Sequence, residues 1–324
     1  PPGCLDQADD HQPVHRGGDA AYGNEPKRTG GASRHGHRSE STPLATTHGV
    51  IICLCADDFG LNEGVNSAVQ QLVAMERVHA TGALVGAPAW GSGVGVLRRM
   101  HSEGLDVGLH LDFTQHPLIT SRNKLRSLIV QSYIGRCDRA AVRAEMRAQL
   151  DAFEQGVGHA PTFVDGHQHV HQLPVIRDEL LEELDARYGA YPPWIRRTRT
   201  RPRGSATAGI RGWLKATTIA ALGASTLAES ARRHGLPQNR ALLGVYDFSG
   251  GAMRYLRLLR GWLSAACEGD LLMCHPGRAI AQGDLLAAAR EAEYQALASR
   301  QFGQLIRELS VVLWPMSHVL ADAD

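Results

Sequence analysis

Residues 50–60 read VIICLCADDFG. Six apolar residues, 50–55, are followed after Ala56 by the neighbouring aspartates Asp57 and Asp58, and then by a predicted turn. A short apolar run of this kind is typical of a β-strand that is buried on both faces of a parallel sheet. The next stretch, 62–77, begins with a capping residue, Asn62, and repeats apolar residues at helical spacing. This order of strand, turn and helix is the repeating unit of an α/β fold.

The same order recurs along the rest of the chain. Further strand candidates lie at 81–85, 106–110, 162–165, 195–198, 241–245, 270–274 and 310–314. Helix candidates separate several of them: one begins after Asp138, one begins at Pro174, and one ends at Gly269. About seven or eight such alternations in roughly 275 residues predict a single α/β domain, a (β/α) barrel or a near relative. Functional residues should then follow the strands, at the carboxyl-terminal face of the barrel.

The first 48 residues differ in composition from the rest of the chain. Their large apolar residues are few, namely Leu5, Val14, Tyr22 and Leu44. Such a segment buries too little apolar surface to offset the entropy of ordering it, so we expect residues 1–48 to be a disordered tail and residues 49–324 to be the barrel domain. The segment also lacks the apolar core of a signal peptide.

The overall composition excludes several classes of protein. The 34 Lys and Arg residues balance 33 Asp and Glu residues, which argues against a nucleic-acid binder. No apolar run approaches the roughly 20 residues that span a bilayer. Six cysteines are too sparse for a disulfide scaffold, and Cys53 and Cys55 are predicted to be buried in the first strand. We therefore expect a cytoplasmic protein without a membrane span, and a homodimer is left open.

Three polar motifs follow predicted strands. The pair Asp57 and Asp58 needs a cation or a proton if it is buried, although an ordinary turn explains the motif equally well. His110 lies within GLHLDFT at 108–114. The sequence DGHQHVH at 165–171 places His167, His169 and His171 at alternate positions, so an extended backbone would point all three to one face. Imidazoles gathered in this way favour a divalent metal site.

These motifs can converge at one barrel mouth. Two histidines and one aspartate leave coordination positions open for water and substrate, which is typical of a catalytic metal site. A metal-bound water becomes a nucleophile near neutral pH, and a carboxylate that does not bind the metal can take its proton. The pattern therefore predicts hydrolysis of an amide or ester. His275, in CHPG at 274–277, could either cap the strand end or act as an acid.

The ordered motifs of residues 50–312 resemble the YdjC-like carbohydrate deacetylases. The shared motifs are ADDFG at 56–60, GLHLxxT at 108–114, DGHQHVH at 165–171, CHPG at 274–277 and RExEYxxL at 290–297. The resemblance implies a distorted TIM-like (β/α) barrel, one divalent metal ion such as Mg²⁺ or Zn²⁺, and removal of an acetyl group from an acetylated amino sugar.

The resemblance also implies roles for individual residues. Asp58, His110 and His167 would be the metal ligands, Asp57 the catalytic base and His275 the candidate acid. His169 and His171 would contact the substrate or support the ligands from behind. The chain departs from the family pattern at Gly166-His167-Gln168, where Ser-His-His is common, and at His116, where a small residue is common.

Two further groups of residues are candidates for substrate binding. Six arginines lie in 195–211, and we expect this stretch to be a solvated loop from which one arginine, such as Arg199, could bind a substrate anion. Trp194, Trp213 and Tyr246 offer flat faces for a sugar ring, although core packing is expected for at least two of them. The leading hypothesis is a metal-dependent sugar N-deacetylase. The alternatives are a metal-dependent hydrolase of another ester or phosphoester, and a catalytically silent sugar-binding barrel.

Overall fold

The computed structural model describes residues 49–201, 208–279 and 283–321. The predicted tail, residues 1–48, lies outside the described residues, as does part of the arginine-rich stretch. Among the described residues, no helix has both the length and the apolar character needed to cross a bilayer.

The described strands form one parallel sheet. They are β1 (Val50–Phe59), β2 (Ala80–Ala83), β3 (Asp106–Leu111), β4 (Phe163–Gly166), β5 (Trp194–Ile195), β6 (Leu242–Leu243), β7 (Leu271–Cys274) and β8 (Val311–Leu313). Their order is β5-β4-β3-β2-β1-β7-β6, and β8 pairs with the start of β1.

The sheet curls until its two edges meet. The Ile195 amide donates to the Pro237 carbonyl at 2.9 Å, and the Leu242 amide donates to the Arg199 carbonyl at 2.9 Å. These bonds join the β5 edge to the β6 edge. The predicted α/β fold, a distorted TIM-like barrel, is therefore confirmed.

Helices connect and cover the strands. They are α1 (Glu63–Ala74), α2 (Trp90–Ser102), α3 (Leu125–Tyr133), α4 (Arg139–Val157), α5 (Ile176–Tyr188), α6 (Gly209–Ile219), α7 (Ser225–Arg233), α8 (Ala252–Ser264), α9 (Ala287–Leu297), α10 (Arg300–Glu308) and α11 (Met316–Ala321). Two irregular turns interrupt this pattern, a 3₁₀ turn at His167–Gln172 and a π turn at Ala220–Ala224.

The helix ends follow from local sequence. The Asn62 side chain accepts a hydrogen bond from the Val65 amide at 3.0 Å and begins α1. Asp138 caps α4 by accepting from two backbone amides, and Gly158 ends the same helix in a left-handed conformation with φ of 92°. The predicted starts of these two helices are confirmed.

The barrel interior is packed with side chains from alternate strand positions. Cys53 and Cys55 are fully buried free thiols there, as predicted, and the rings of Phe163 and Trp194 stack beside them with centroids 4.3 Å apart. Gly108 lies so close to the Phe163 ring that a Cβ atom would come within 2.5 Å of it. Because side chains alternate along a strand, Asp57 extends this inward-facing row. The packed interior therefore forms the floor on which the polar residues lie.

Candidate metal and active site

The predicted polar residues surround one cavity at the carboxyl-terminal ends of the strands. The cavity has a volume of about 1230 Å³, and its wall includes Asp57, Asp58, His110, His167 and His275. These residues come from β1 and β3 and from the segments that follow β4 and β7. The barrel thus brings together side chains that are far apart in the sequence.

Asp58 owes its orientation to a break in the β1 strand. Its φ is 68°, and the register between β1 and β2 shifts between Ala56 and Phe59. Oδ1 of Asp58 lies 2.9 Å from Nδ1 of His167 and 3.4 Å from Nε2 of His110. Burial would raise the pKa of Asp58, but Arg290 and His167 hold the pKa well below its usual range. Asp58 is therefore a carboxylate that faces two imidazoles.

His110 is held from behind by Asp165, whose Oδ1 lies 2.6 Å from Nδ1 of the ring. This contact turns Nε2 of His110 towards Asp58. Burial alone would lower the pKa of His110, but the carboxylates of Asp165 and Asp57 raise the pKa well above its usual value. A carboxylate behind a histidine is the usual way to fix the ring of a metal ligand.

Asp58, His110 and His167 fit a divalent ion. One ligand atom from each of them lies within 4.8 Å of the others, and all three residues are buried. Nε2 of His167 is a buried nitrogen without a hydrogen-bond partner among the described residues. A second acidic group, Asp57, His110 and Asp165, meets the same distance criterion. There, however, the fixed cation Arg196 already binds both carboxylates.

Asp57 lies beside the first group and is paired with Arg196. The two terminal nitrogens of Arg196 donate to the two carboxylate oxygens of Asp57 at 2.7 and 2.6 Å, and one of them also lies 2.7 Å from Asp165. Arg196 is 0% exposed. The expectation that this arginine-rich stretch is solvated is therefore wrong for Arg196, because it follows β5 directly and points into the barrel. Arg199 is exposed and lies outside the residues that line the cavity.

The three histidines of residues 167–171 do not share one face. The chain leaves the sheet after Gly166 and enters the 3₁₀ turn, in which Gln168 and His169 have positive φ angles of 55° and 60°. His167 and His169 line the cavity, whereas His171 is fully buried and its Nε2 lies 3.0 Å from the Arg196 carbonyl. The predicted extended geometry was wrong because the two left-handed residues, Gln168 and His169, break the extended backbone, so alternate side chains no longer point to one face.

His275 directly follows β7 and lines the same cavity as His110 and His167. Its Nε2 is 3.8 Å from Oδ2 of Asp57, and its backbone amide donates to Glu293 at 2.5 Å. The hydroxyl of Tyr246 donates to the other oxygen of Glu293 at 2.7 Å. Burial lowers the pKa of His275 to about 4 and raises the pKa of Glu293 to about 7. His275 is therefore neutral near pH 7. The hydrogen bond from its backbone amide to Glu293 connects the turn after β7 to α9.

Comparison with known proteins decides the family. The profile described as "YdjC-like protein" matches residues 51–308. The chain belongs to the YdjC-like family. It is 32% identical to a protein of Mus musculus named carbohydrate deacetylase, over 70% of this chain and 78% of the relative. It is 30% identical to a chitooligosaccharide deacetylase of Enterobacter sp. (strain 638), over 43% of this chain and 57% of the relative.

A solved structure supports the same fold. The crystal structure of a protein of Enterococcus faecalis V583 superimposes with a TM-score of 0.60 at 20% identity. The match covers 84% of this chain and 99% of that protein. At this level of identity the likeness concerns the fold alone.

The three aromatic candidates for sugar binding have different positions in this YdjC-like barrel. Tyr246 lines the cavity, but its hydroxyl is turned to Glu293. Trp194 belongs to the barrel core, and Trp213 is 47% exposed on α6. His116 lines the cavity at a turn where Asp112 accepts a hydrogen bond from its backbone amide at 2.7 Å.

Sequence reasoning missed four residues of the site, namely Asp165, Arg196, Arg290 and Glu293. Asp165 is the first residue of DGHQHVH, but the sequence pattern alone assigns no role to it. Arg290 and Glu293 both lie in the motif RExEYxxL, three positions apart, so they share one face of α9. That spacing could have indicated a helix that turns charged side chains inward. Arg196 carried no signal beyond its place at the end of a strand.

Proposed function

We propose that this protein is a metal-dependent carbohydrate deacetylase that removes the N-acetyl group from an acetylated amino sugar, of the chitooligosaccharide or glycolipid type. The observation that carries the proposal is the buried cluster of Asp58, His110 and His167 beside Asp57 on the wall of one cavity. The names of the YdjC-like relatives support a carbohydrate substrate.

Asp58, His110 and His167 would hold the metal, and Zn²⁺ or Mg²⁺ are the proposed ions. Nitrogen donors favour Zn²⁺, while the carboxylate is compatible with either ion. When bound, the ion supplies Lewis-acid polarisation of the acetyl carbonyl and lowers the pKa of water. Asp165 would keep the His110 ring in place from behind, at the 2.6 Å contact with its Nδ1.

Asp57 would act as the general base. Its pairing with Arg196 keeps the carboxylate in one orientation inside the barrel. Because Arg196 is shared with Asp165, the base and the carboxylate that supports His110 are fixed by the same cation. A base held in this way can take the proton of the attacking water without reorientation.

His275 would return a proton to the departing amine. Its Nε2 lies 3.8 Å from the Asp57 carboxylate, so a short movement or one water connects the two groups. Burial holds the pKa of His275 at about 4, which means that a proton placed there is held weakly and is readily given to an amine. His169 and Tyr246, which line the cavity, are the proposed substrate contacts. His171 would help to position Arg196 through its contact with the Arg196 carbonyl. Arg199, which is exposed, is proposed only as a substrate contact outside the cavity.

Acetate release tests this proposal directly. Protein stripped with a chelator is incubated with di-N-acetylchitobiose, and acetate is measured after Zn²⁺, Mg²⁺ or Mn²⁺ is added back. We expect acetate release that depends on the added metal. Release of phosphate or of another acid from other esters, with none from acetylated sugars, would assign the site to a different hydrolase. Binding of the sugar without turnover under every metal condition would indicate a silent sugar-binding barrel.

A further inference from the structure

Arg290 is a buried arginine on the cavity wall whose role follows from its three nitrogens. It lies on α9, is 4% exposed, and lines the same cavity as Asp58 and His275. Its Nε donates to Asp284 at 2.8 Å and its Nη2 donates to Asp58 at 2.7 Å. The two carboxylates therefore hold the guanidinium from two sides.

The third nitrogen of Arg290 has no such acceptor. Nη1 is buried and has no hydrogen-bond partner among the described residues. A buried charged donor without an acceptor is unfavourable, so such a group usually marks a position that a ligand oxygen occupies. A guanidinium stays protonated in proteins, so Arg290 is a cation at this position.

The position of Nη1 beside the candidate metal cluster indicates which oxygen of a ligand it would bind. Nη2 of the same guanidinium contacts Oδ2 of Asp58, and Oδ1 of Asp58 faces His110 and His167. The free nitrogen thus lies one guanidinium width from the carboxylate of the candidate metal cluster. Negative charge develops next to that cluster when water adds to an acyl group.

We propose that Arg290 is a substrate-contacting catalytic residue whose free Nη1 donates to the acyl oxygen of the substrate. This inference rests on the proposed deacetylase function. Water forms a C–O bond to the acyl carbon, and the C=O pair moves onto the acyl oxygen, which becomes negative beside Arg290. When the pair returns, the C–N bond breaks and the amine nitrogen takes the proton that the water gave up; the acyl group leaves as acetic acid, which ionises to acetate near neutral pH. A fixed cation at this position stabilises the charged state without rearrangement.

Acetate is a suitable probe because it is the product and retains the acyl oxygen. The experiment compares wild-type protein with Arg290→Gln and Arg290→Lys, all loaded with Zn²⁺. It measures metal content, acetate affinity by calorimetry, and kcat and KM for di-N-acetylchitobiose. Arg187→Gln is the matched control, because Arg187 also binds two carboxylates, those of Asp151 and Glu154, but does not line the cavity.

For Arg290→Gln we expect metal content close to wild type, acetate affinity about 10-fold weaker or more, and kcat about 100-fold lower with a smaller change in KM. Arg290→Lys should have an acetate affinity and a kcat between those of wild type and Arg290→Gln. If Arg290→Gln does not fold, the acetate affinity of Arg290→Lys tests the proposal. Unchanged acetate affinity in metal-saturated variants would overturn the proposal. Arg290 would then serve only to hold the carboxylate of Asp58 in place. Absence of acetate release by the wild type would instead overturn the deacetylase function, while acetate binding would still decide the contact.

Discussion

Two neighbouring aspartates of identical chemistry face different partners in this protein. Asp57 continues the inward row of the strand and meets Arg196, whereas the positive φ of Asp58 turns its carboxylate towards His110 and His167. A left-handed conformation is uncommon outside glycine, although aspartate tolerates it better than most residues. The sequence ADDFG predicts a polar turn after a strand but does not say which carboxylate turns which way. The backbone at one residue therefore separates the proposed base from the proposed ligand.

Replacing Asp57 by Asn should separate metal binding from turnover. The amide keeps the shape of the side chain but cannot accept the proton of water, so we expect about 10²–10⁴-fold lower acetate release with metal content unchanged. Elemental analysis and an acetate assay on the same sample check this. Asp151→Asn, which alters an exposed acid on α4, is the control. Acetate release within a few-fold of wild type would refute the assignment of Asp57 as the base.

Arg196 should be much more important for stability than a surface arginine. It is completely buried between Asp57 and Asp165, so Arg196→Gln leaves two carboxylates without their cation. We expect a loss of about 3–5 kcal/mol in the free energy of unfolding. Arg147→Gln, which breaks the half-exposed pair with Glu183, should cost less than about 1 kcal/mol. Urea unfolding of both variants checks the difference, and equal losses would contradict this account of Arg196.

At the scale of single elements, the segment after β4 shows where sequence patterns stop being sufficient. Alternate histidines in 167–171 match a strand, yet the chain forms a 3₁₀ turn with two positive φ angles. The pattern of apolar residues could not predict this turn, because the residues that follow the strand are mostly polar and their order does not indicate a backbone conformation. The turn places His167 at the cavity and buries His171 behind Arg196.

The burial of His171 predicts how stability depends on pH. Burial lowers the pKa of His171 from 6.5 to about 4, so the unfolded chain takes up a proton more readily than the folded one. The stabilising effect is present above about pH 6.5 and is lost as the pH falls towards 4. Between pH 7 and pH 5 this histidine should account for about 2 kcal/mol of lost stability.

Urea unfolding of metal-free protein at the two pH values measures this loss. His171→Gln keeps a donor for the Arg196 carbonyl but does not titrate. We expect the variant to lose less stability than wild type on acidification. His275, whose pKa is also lowered by burial, contributes in the same direction in both proteins. Parallel losses in variant and wild type would mean that His171 is not the group responsible.

At the scale of the whole molecule, the fold was predictable because it depends on local patterns. Apolar runs identified the strands, and Asn62 and Asp138 identified helix starts. The site was predictable only in part. Ligand candidates follow strands and carry recognisable motifs, whereas Arg196 reaches Asp57 across 139 positions and Arg290 reaches Asp58 across 232. The spacing of residues 290–293 can indicate an inward-facing charged helix, but which carboxylate each arginine reaches depends on barrel closure and on the docking of α9.

The central claim is that Asp58, His110 and His167 together hold one metal ion beside Asp57. The most direct test is anomalous diffraction at the zinc absorption edge from crystals of the Zn²⁺-loaded protein. We predict one strong anomalous peak in contact with these three side chains, and its loss in His110→Ala. A peak among Asp57, His110 and Asp165 instead, or no peak at the barrel mouth, would contradict the account.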